Sequence, residues 1–151
     1  MSLKDQLDED LKQSMRSRDR VRLDAIRQIK AAVTNAEIQH GGNFDDAQVE
    51  EIIARIVRQH RESIEAFKKG NRQDLIDTEE AELTVLLPYL PEQMPAEEIA
   101  ALARQAAKDV GAQGPADKGK IMGKLMPQVK GKADGKVVND IVTQVMEGLG
   151  G

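Results

Sequence analysis

From Leu3 onward the apolar residues recur at intervals of three and four, and nowhere in the 151 residues do they settle into the alternation of a half-buried strand. A chain spaced in this way buries its apolar surface as helices packed on helices, so the expected fold class is all-α. Leu3, Leu7, Leu11 and Met15 mark a first helix; Leu23, Ile26, Ile29, Val33 and Ala36 mark a second, stopped by Gly41-Gly42. Asn43 or Asp45 is placed to cap a third, whose stripe of Val49, Ile52, Ile53, Ile56, Val57, Ile64 and Phe67 runs to Lys68-Lys69-Gly70. The second and third helices predict a long antiparallel hairpin. A fourth carries Leu75, Ile76, Leu83, Leu86 and Leu87 and ends by Pro88. Only Phe44, Phe67 and Tyr89 are aromatic, so the core has to be aliphatic.

The stretch LPYLPEQMP, residues 87 to 95, has prolines at 88, 91 and 95 and reads as a stiff connector. It divides the chain into an N-terminal helical domain, 1–90, and a C-terminal three-helix domain, 91–151. In the second, Pro95 suits a first helical turn, followed by Ile99, Leu102, Ala103, Ala106 and Val110 up to Gly111. Ile121, Met122, Leu125, Met126 and Val129 form the next stripe. Val137, Val138, Ile141, Val142, Val145, Met146 and Leu149 form the last, at helical rather than alternating spacing.

Chemistry-bearing patterns are sparse. With no cysteine, disulfides and thiolate chemistry are excluded, and a reducing cytoplasm is the expected location. The acidic N-terminus and the lack of a long apolar run predict neither export nor a membrane span. His40 precedes two glycines and reads as a helix-end residue; His60, among Arg58, Arg61 and Glu62, reads as a helix-surface residue. Asp77, Glu80 and Glu82 read as a solvated face of the fourth helix or as partners for basic segments. HExxH, GxSxG and P-loop motifs are missing, so no catalytic residue, metal ligand or cofactor is assigned.

The net charge of −4 is unevenly spread. Residues 16–30 carry six basic side chains against two acids, with Arg16, Arg20 and Arg27 near one helical face. Residues 74–98 carry eight acids and no Lys or Arg, and residues 115–140 carry six lysines against three acids. In a helix over 117–130, Pro127 removes the bond to the carbonyl of Gly123, and both residues fall on the polar side with Lys120 and Lys124. Lys130, Lys132 and Lys136 follow, beside Asp134, which is placed to cap the last helix. These cations are candidates for holding a phosphate backbone without reading bases, since no aromatic lies among them to stack.

GKIMGKLMPQVKGKADGKVVNDIV resembles the C-terminal signature of the YqeY-like family, and the likeness extends upstream through RESIEAFKKGNRQDLIDTEEAEL and LLPYLPEQMPAEEI. Met94-Pro95 departs from the polar cap usual before the fifth helix. The family shares its helical tail with the glutamyl/aspartyl-tRNA amidotransferase, in which the similar tail helps to hold the tRNA. The resemblance implies a bacterial, tRNA-associated accessory or binding protein, with tRNA, aminoacyl-tRNA or the amidotransferase machinery as partners. The matching positions are Gly119, Met122, Gly123, Met126, Lys130, Gly131, Asp134, Gly135 and Val138. The family's association with glutamine-dependent carbon–nitrogen ligases suggests a transamidation accessory as an alternative, and a protein-interaction module is another. The chain has no length for a kinase-like core or an amidase, and its oligomeric state is left open.

Overall fold

The computed structural model describes residues 1–150, with side chains through residue 148, so Leu149 of the last apolar stripe lies outside the described side chains. Among the described residues the chain forms seven α-helices and no strand. They are α1 (Leu3–Ser17), α2 (Arg20–His40), α3 (Asp46–Lys69), α4 (Gln73–Leu86), α5 (Ala96–Asp109), α6 (Lys118–Val129) and α7 (Gly135–Gly150). Single 3-10 turns stand at Leu87–Tyr89 and Pro115–Asp117. The chain divides into two compact units, Met1–Leu90 and Pro91–Gly151. Among the described residues no helix is long and apolar enough to cross a membrane.

In the first unit, Ser2 opens α1 by accepting from the Asp5 N–H, and Asp19 opens α2 by accepting from the Arg22 N–H. Between them Arg18 takes φ 57°, a left-handed turn made without glycine. Asp45, not Asn43, caps α3. It forms a reciprocal box with Gln48, each side chain accepting from the other's backbone at 2.9 and 3.0 Å. After α3 the left-handed position falls on Asn71 (φ 54°), while Gly70 keeps φ −92°.

The core is Leu7, Ile26, Ile29, Val49, Ile53 and Leu86 with their aliphatic neighbours. Ser14 is buried in α1 and Met15 is 55% exposed, against the sequence reading. A strict four-residue spacing drifts about 40° per step around a 3.6-residue helix, whereas Ser14, seven after Leu7, returns to its face. Ser14 is satisfied there by donating to the Asp10 carbonyl at 2.7 Å. The expected α2–α3 hairpin is part of a larger arrangement, for α3 packs most extensively along α4, and α2 touches both. The cause is the paired positions Ile52-Ile53 and Ile56-Val57, which widen the apolar arc of α3 beyond what one neighbour covers.

Polar ties fix the rim. Glu37 accepts from the Lys4 ammonium at 2.5 Å and from the Phe44 N–H at 2.7 Å, and these bonds, the Lys4 one first, hold its carboxyl below the ordinary range. Lys30 pairs with Asp8. Tyr89 donates to Asp10 at 2.5 Å, and Arg22 reaches the same carboxylate at 3.3 Å. Burial, followed by the Asp10 contact, raises the Tyr89 phenol above its ordinary value.

The second unit packs α5, α6 and α7 around Ile99, Ala103, Ala106, Ile121, Leu125, Val129, Val138 and Val142. Pro95 stands at the cap position of α5, just before the first turn (φ −62°, ψ 150°), and Glu97 and Glu98 supply that turn's negative charge. Lys130 ends α6 and Gly131 turns the chain at φ 80°, a conformation that suits glycine. The Met94 N–H donates to the Lys132 carbonyl at 2.8 Å, and Gln93 bridges the carbonyls of Pro91 and Gly131. Asp134 caps α7, accepting from the Lys136 N–H at 2.9 Å.

Removal of the α3 cap tests the first unit directly. Asp45→Ala should cost about 1 kcal/mol in urea unfolding followed by far-ultraviolet circular dichroism. An unchanged midpoint would show that the box does not hold α3.

Candidate functional site

The tail lysines come from three short pieces of one unit. Lys120 and Lys124 lie on the exposed face of α6 with Gly119, Gly123 and Pro127, while Ile121 and Leu125 point into the core. Lys130 and Lys132 are exposed in the turn after α6, and Lys136 is exposed in the first turn of α7. Lys120 pairs with Asp117 at 3.5 Å, at 68% side-chain exposure, so water screens the contact. The Asp117 carboxyl is held below its ordinary range first by the Gln113 N–H, with Lys120 adding to it. A Cβ at Gly119 or Gly123 would meet nothing within 4 Å, so neither glycine is required by packing.

The arginine segment divides. Arg20 and Arg27 line an open cleft of about 460 Å³ with Arg18, Ser14, Met15 and Leu23. Arg16, in the last turn of α1, is exposed and does not line it. Arg20 pairs with Asp24 of its own helix at 3.6 Å, and Arg22 is committed to Asp10.

A third cluster corrects the sequence reading. His60 is not a surface residue: it is 6% exposed and lies on the inner stripe of α3, four after Ile56 and four before Ile64. Its Nδ1 meets Glu79, and its Nε2 lies 3.5 Å from Glu82 Oε2 and 3.3 Å from Gln28 Oε1 of α2. Glu82 is therefore not part of the solvated face of α4, unlike Asp77 and Glu80, which are exposed. Burial, reinforced by the charges of Glu79 and Asp24 against the pull of His60, raises the Glu82 carboxyl above its ordinary range. The signal was present in the periodicity: His60 falls on the row of Ile53, Ile56, Val57 and Ile64, and Glu79 falls between Ile76 and Leu83. Charged neighbours in sequence concealed it, because adjacent residues on a helix face different ways.

The fold and these surfaces define an all-helical protein of two small units whose polar side chains cluster at surfaces and at one buried histidine. Residues 4–146 match the family model described as Yqey-like protein, and the chain belongs to that family. It is also similar to a curated fungal protein, "Altered inheritance of mitochondria protein 41, mitochondrial". The Pyrenophora tritici-repentis form is 32% identical over 143 residues, 93% of this chain and 78% of the relative. The Lachancea thermotolerans form is 34% identical over 85 residues, 56% of this chain and 46% of the relative. The Saccharomyces cerevisiae form is 30% identical over 87 residues, 57% of this chain and 46% of the relative. In these last two, the matched stretch spans less than half of the relative.

These relatives overturn the expectation of a bacterial, cytoplasmic protein, because they are mitochondrial proteins of fungi by name. The bacterial part of that expectation came from the family resemblance, and the cytoplasmic part from a cysteine-free composition and a chain without long apolar runs, neither of which specifies a compartment. None of these names speaks of tRNA or of amide transfer.

The raised Glu82 carboxyl has a defined pH signature. A carboxyl raised by folding favours the folded state below its unfolded value near 4.5, and that contribution is lost as pH rises through the higher folded value. Glu82→Gln should therefore raise the melting temperature relative to the parent at pH 7, with the difference closing as pH falls below about 4. Parallel melts across this range check it, and a variant less stable at pH 7 would reverse the assignment.

Proposed function

We propose that this chain is a non-catalytic RNA-binding module, in which Lys120, Lys124, Lys130, Lys132 and Lys136 of the tail unit hold the phosphate backbone of a structured RNA of the tRNA class. The observation that carries this reading is the pair of exposed helical glycines beside the lysines. Glycine in a helix interior costs roughly 1 kcal/mol against alanine. At Gly119 and Gly123 nothing from elsewhere in the fold lies within 4 Å of where a Cβ would go, so packing against neighbouring elements does not require them. A helix face without side chains lets an external backbone approach closely, and lysines on either side supply the charge.

Positive charge without aromatic stacking suits recognition of shape and phosphate rather than of base sequence. Arg20 and Arg27, which line the cleft of the first unit with Arg18, form a second basic patch, with Arg16 exposed outside it. The rival reading is a protein-interaction module. It is favoured by the apolar floor that Met15 and Leu23 give the arginine cleft. Charge reversal separates the two, since Arg20→Glu with Arg27→Glu weakens RNA binding only if that patch contacts RNA. A supporting role in glutamine-dependent amide transfer predicts a changed rate when the pure protein is added to such an assay.

Fluorescence anisotropy with a tRNA transcript tests the proposal. Affinity should fall with salt on a logarithmic slope of roughly 0.7 to 0.9 per phosphate neutralised. Lys130→Glu, Lys132→Glu and Lys136→Glu together should abolish binding at low salt. Gly123→Ala should stabilise the tail by about 0.5 to 1 kcal/mol while weakening RNA binding, and Gly119→Ala, in the first turn of α6, should weaken RNA binding as well. Stabilisation with unchanged affinity, or no binding by the parent at low salt, would remove the RNA reading.

A further inference from the structure

His60 is the one titratable side chain buried among the described residues, and the charge around it does not balance. Both ring nitrogens face carboxylates of α4, Glu79 at Nδ1 and Glu82 at Nε2, and Asp24 of α2 adds its field to Glu82. Even a fully protonated ring supplies one positive charge to two facing carboxylates. Like charges three residues apart on a helix repel, and partial burial strengthens that repulsion. The arrangement calls for a cation of higher charge than a proton.

The donor atoms meet the geometric need. One ring nitrogen of His60, one oxygen of Glu79 and one of Glu82 lie within 4.8 Å of one another. Zinc binds nitrogen and carboxylate oxygen at about 2.0 to 2.2 Å, so the two glutamates must rotate toward one ring nitrogen, Glu82 from its place beside Nε2, to close the set around one ion. Their side chains are 22% and 26% exposed, which leaves both the freedom to rotate and an open side for water as a fourth ligand. Gln28 Oε1, 3.3 Å from Nε2, is placed to accept a proton from the ring and orient Nδ1 as the ligand. An imidazole with two carboxylates suits zinc-class ions, whereas magnesium and calcium prefer oxygen alone.

We propose that His60, Glu79 and Glu82 form a binding site for a divalent transition-metal ion of the zinc class, which clasps α3 to α4. The site belongs to the first unit and is independent of the tail lysines. Background binding is low, because the chain has no cysteine and its only other histidine, His40, is exposed at the end of α2.

The full chain, stripped with a chelator, is titrated with zinc chloride by calorimetry and with cobalt(II) by visible absorption. The expected result is one ion per chain, a melting temperature raised by zinc, and a nitrogen-and-oxygen ligand spectrum with cobalt. Glu79→Gln and Glu82→Gln keep side-chain size, and each should weaken zinc by more than about a hundredfold, beyond what loss of an outer-shell partner typically costs. His40→Asn should leave binding unchanged. The proposal is overturned by the absence of a saturable site, by zinc affinity unchanged in both glutamine variants, or by magnesium binding as tightly as zinc.

Discussion

The apolar stripe of α3 is the constraint on which the first unit depends. Val49, Ile52, Ile53, Ile56, Val57 and Ile64 are buried along one 24-residue helix. Residues at adjacent positions make that stripe broad enough to receive α2 and α4 together. The Asp45–Gln48 box holds its N-terminal end, and Asn71 turns the chain back after its C-terminal end. β-Branched aliphatic side chains hold few rotamers, so a core built from them without tryptophan is well defined despite the scarcity of rings.

That same stripe carries the feature least compatible with a simple core. His60 occupies a position where an isoleucine would pack, and two glutamates of α4 follow it inward. Burying a polar ring costs free energy unless its nitrogens are bonded, and here they meet two carboxylates and an amide. Among the described residues the other buried polar side chain, Ser14, is satisfied by its own helix and implies nothing further. The tail unit presents the opposite situation: its core is wholly aliphatic, and its polar groups lie outside, on α6 and around the start of α7. Two different chemistries, a buried nitrogen-and-oxygen cluster and an exposed row of ammonium groups, thus occupy separate units of one small chain.

Much of the architecture was legible because it follows local rules. The helices appear where spacing of three and four predicts them, Gly41 and Gly131 take the left-handed angles that end helices, and Asp134 caps α7. Errors arose where a one-dimensional pattern had to choose between neighbouring positions. Met15 lost the buried place to Ser14 because a four-residue spacing drifts around the helix. Pro95 moved one step out of α5, to the cap. The lysines were visible as a charge excess, while the His60 cluster was hidden because its members lie 19 and 22 positions apart on different helices.

The amino-acid order by itself determined that this chain is helical, where most of its helices start and stop, and which lysines would reach water, because hydrogen bonds and helical periodicity act within a few residues. Tertiary structure alone decided that α3 lies most extensively against α4, that Arg20 and Arg27 share a cleft with Arg18, and that His60 faces Glu79 and Glu82. Those outcomes depend on which apolar arc covers which, a choice made by packing between helices distant in sequence.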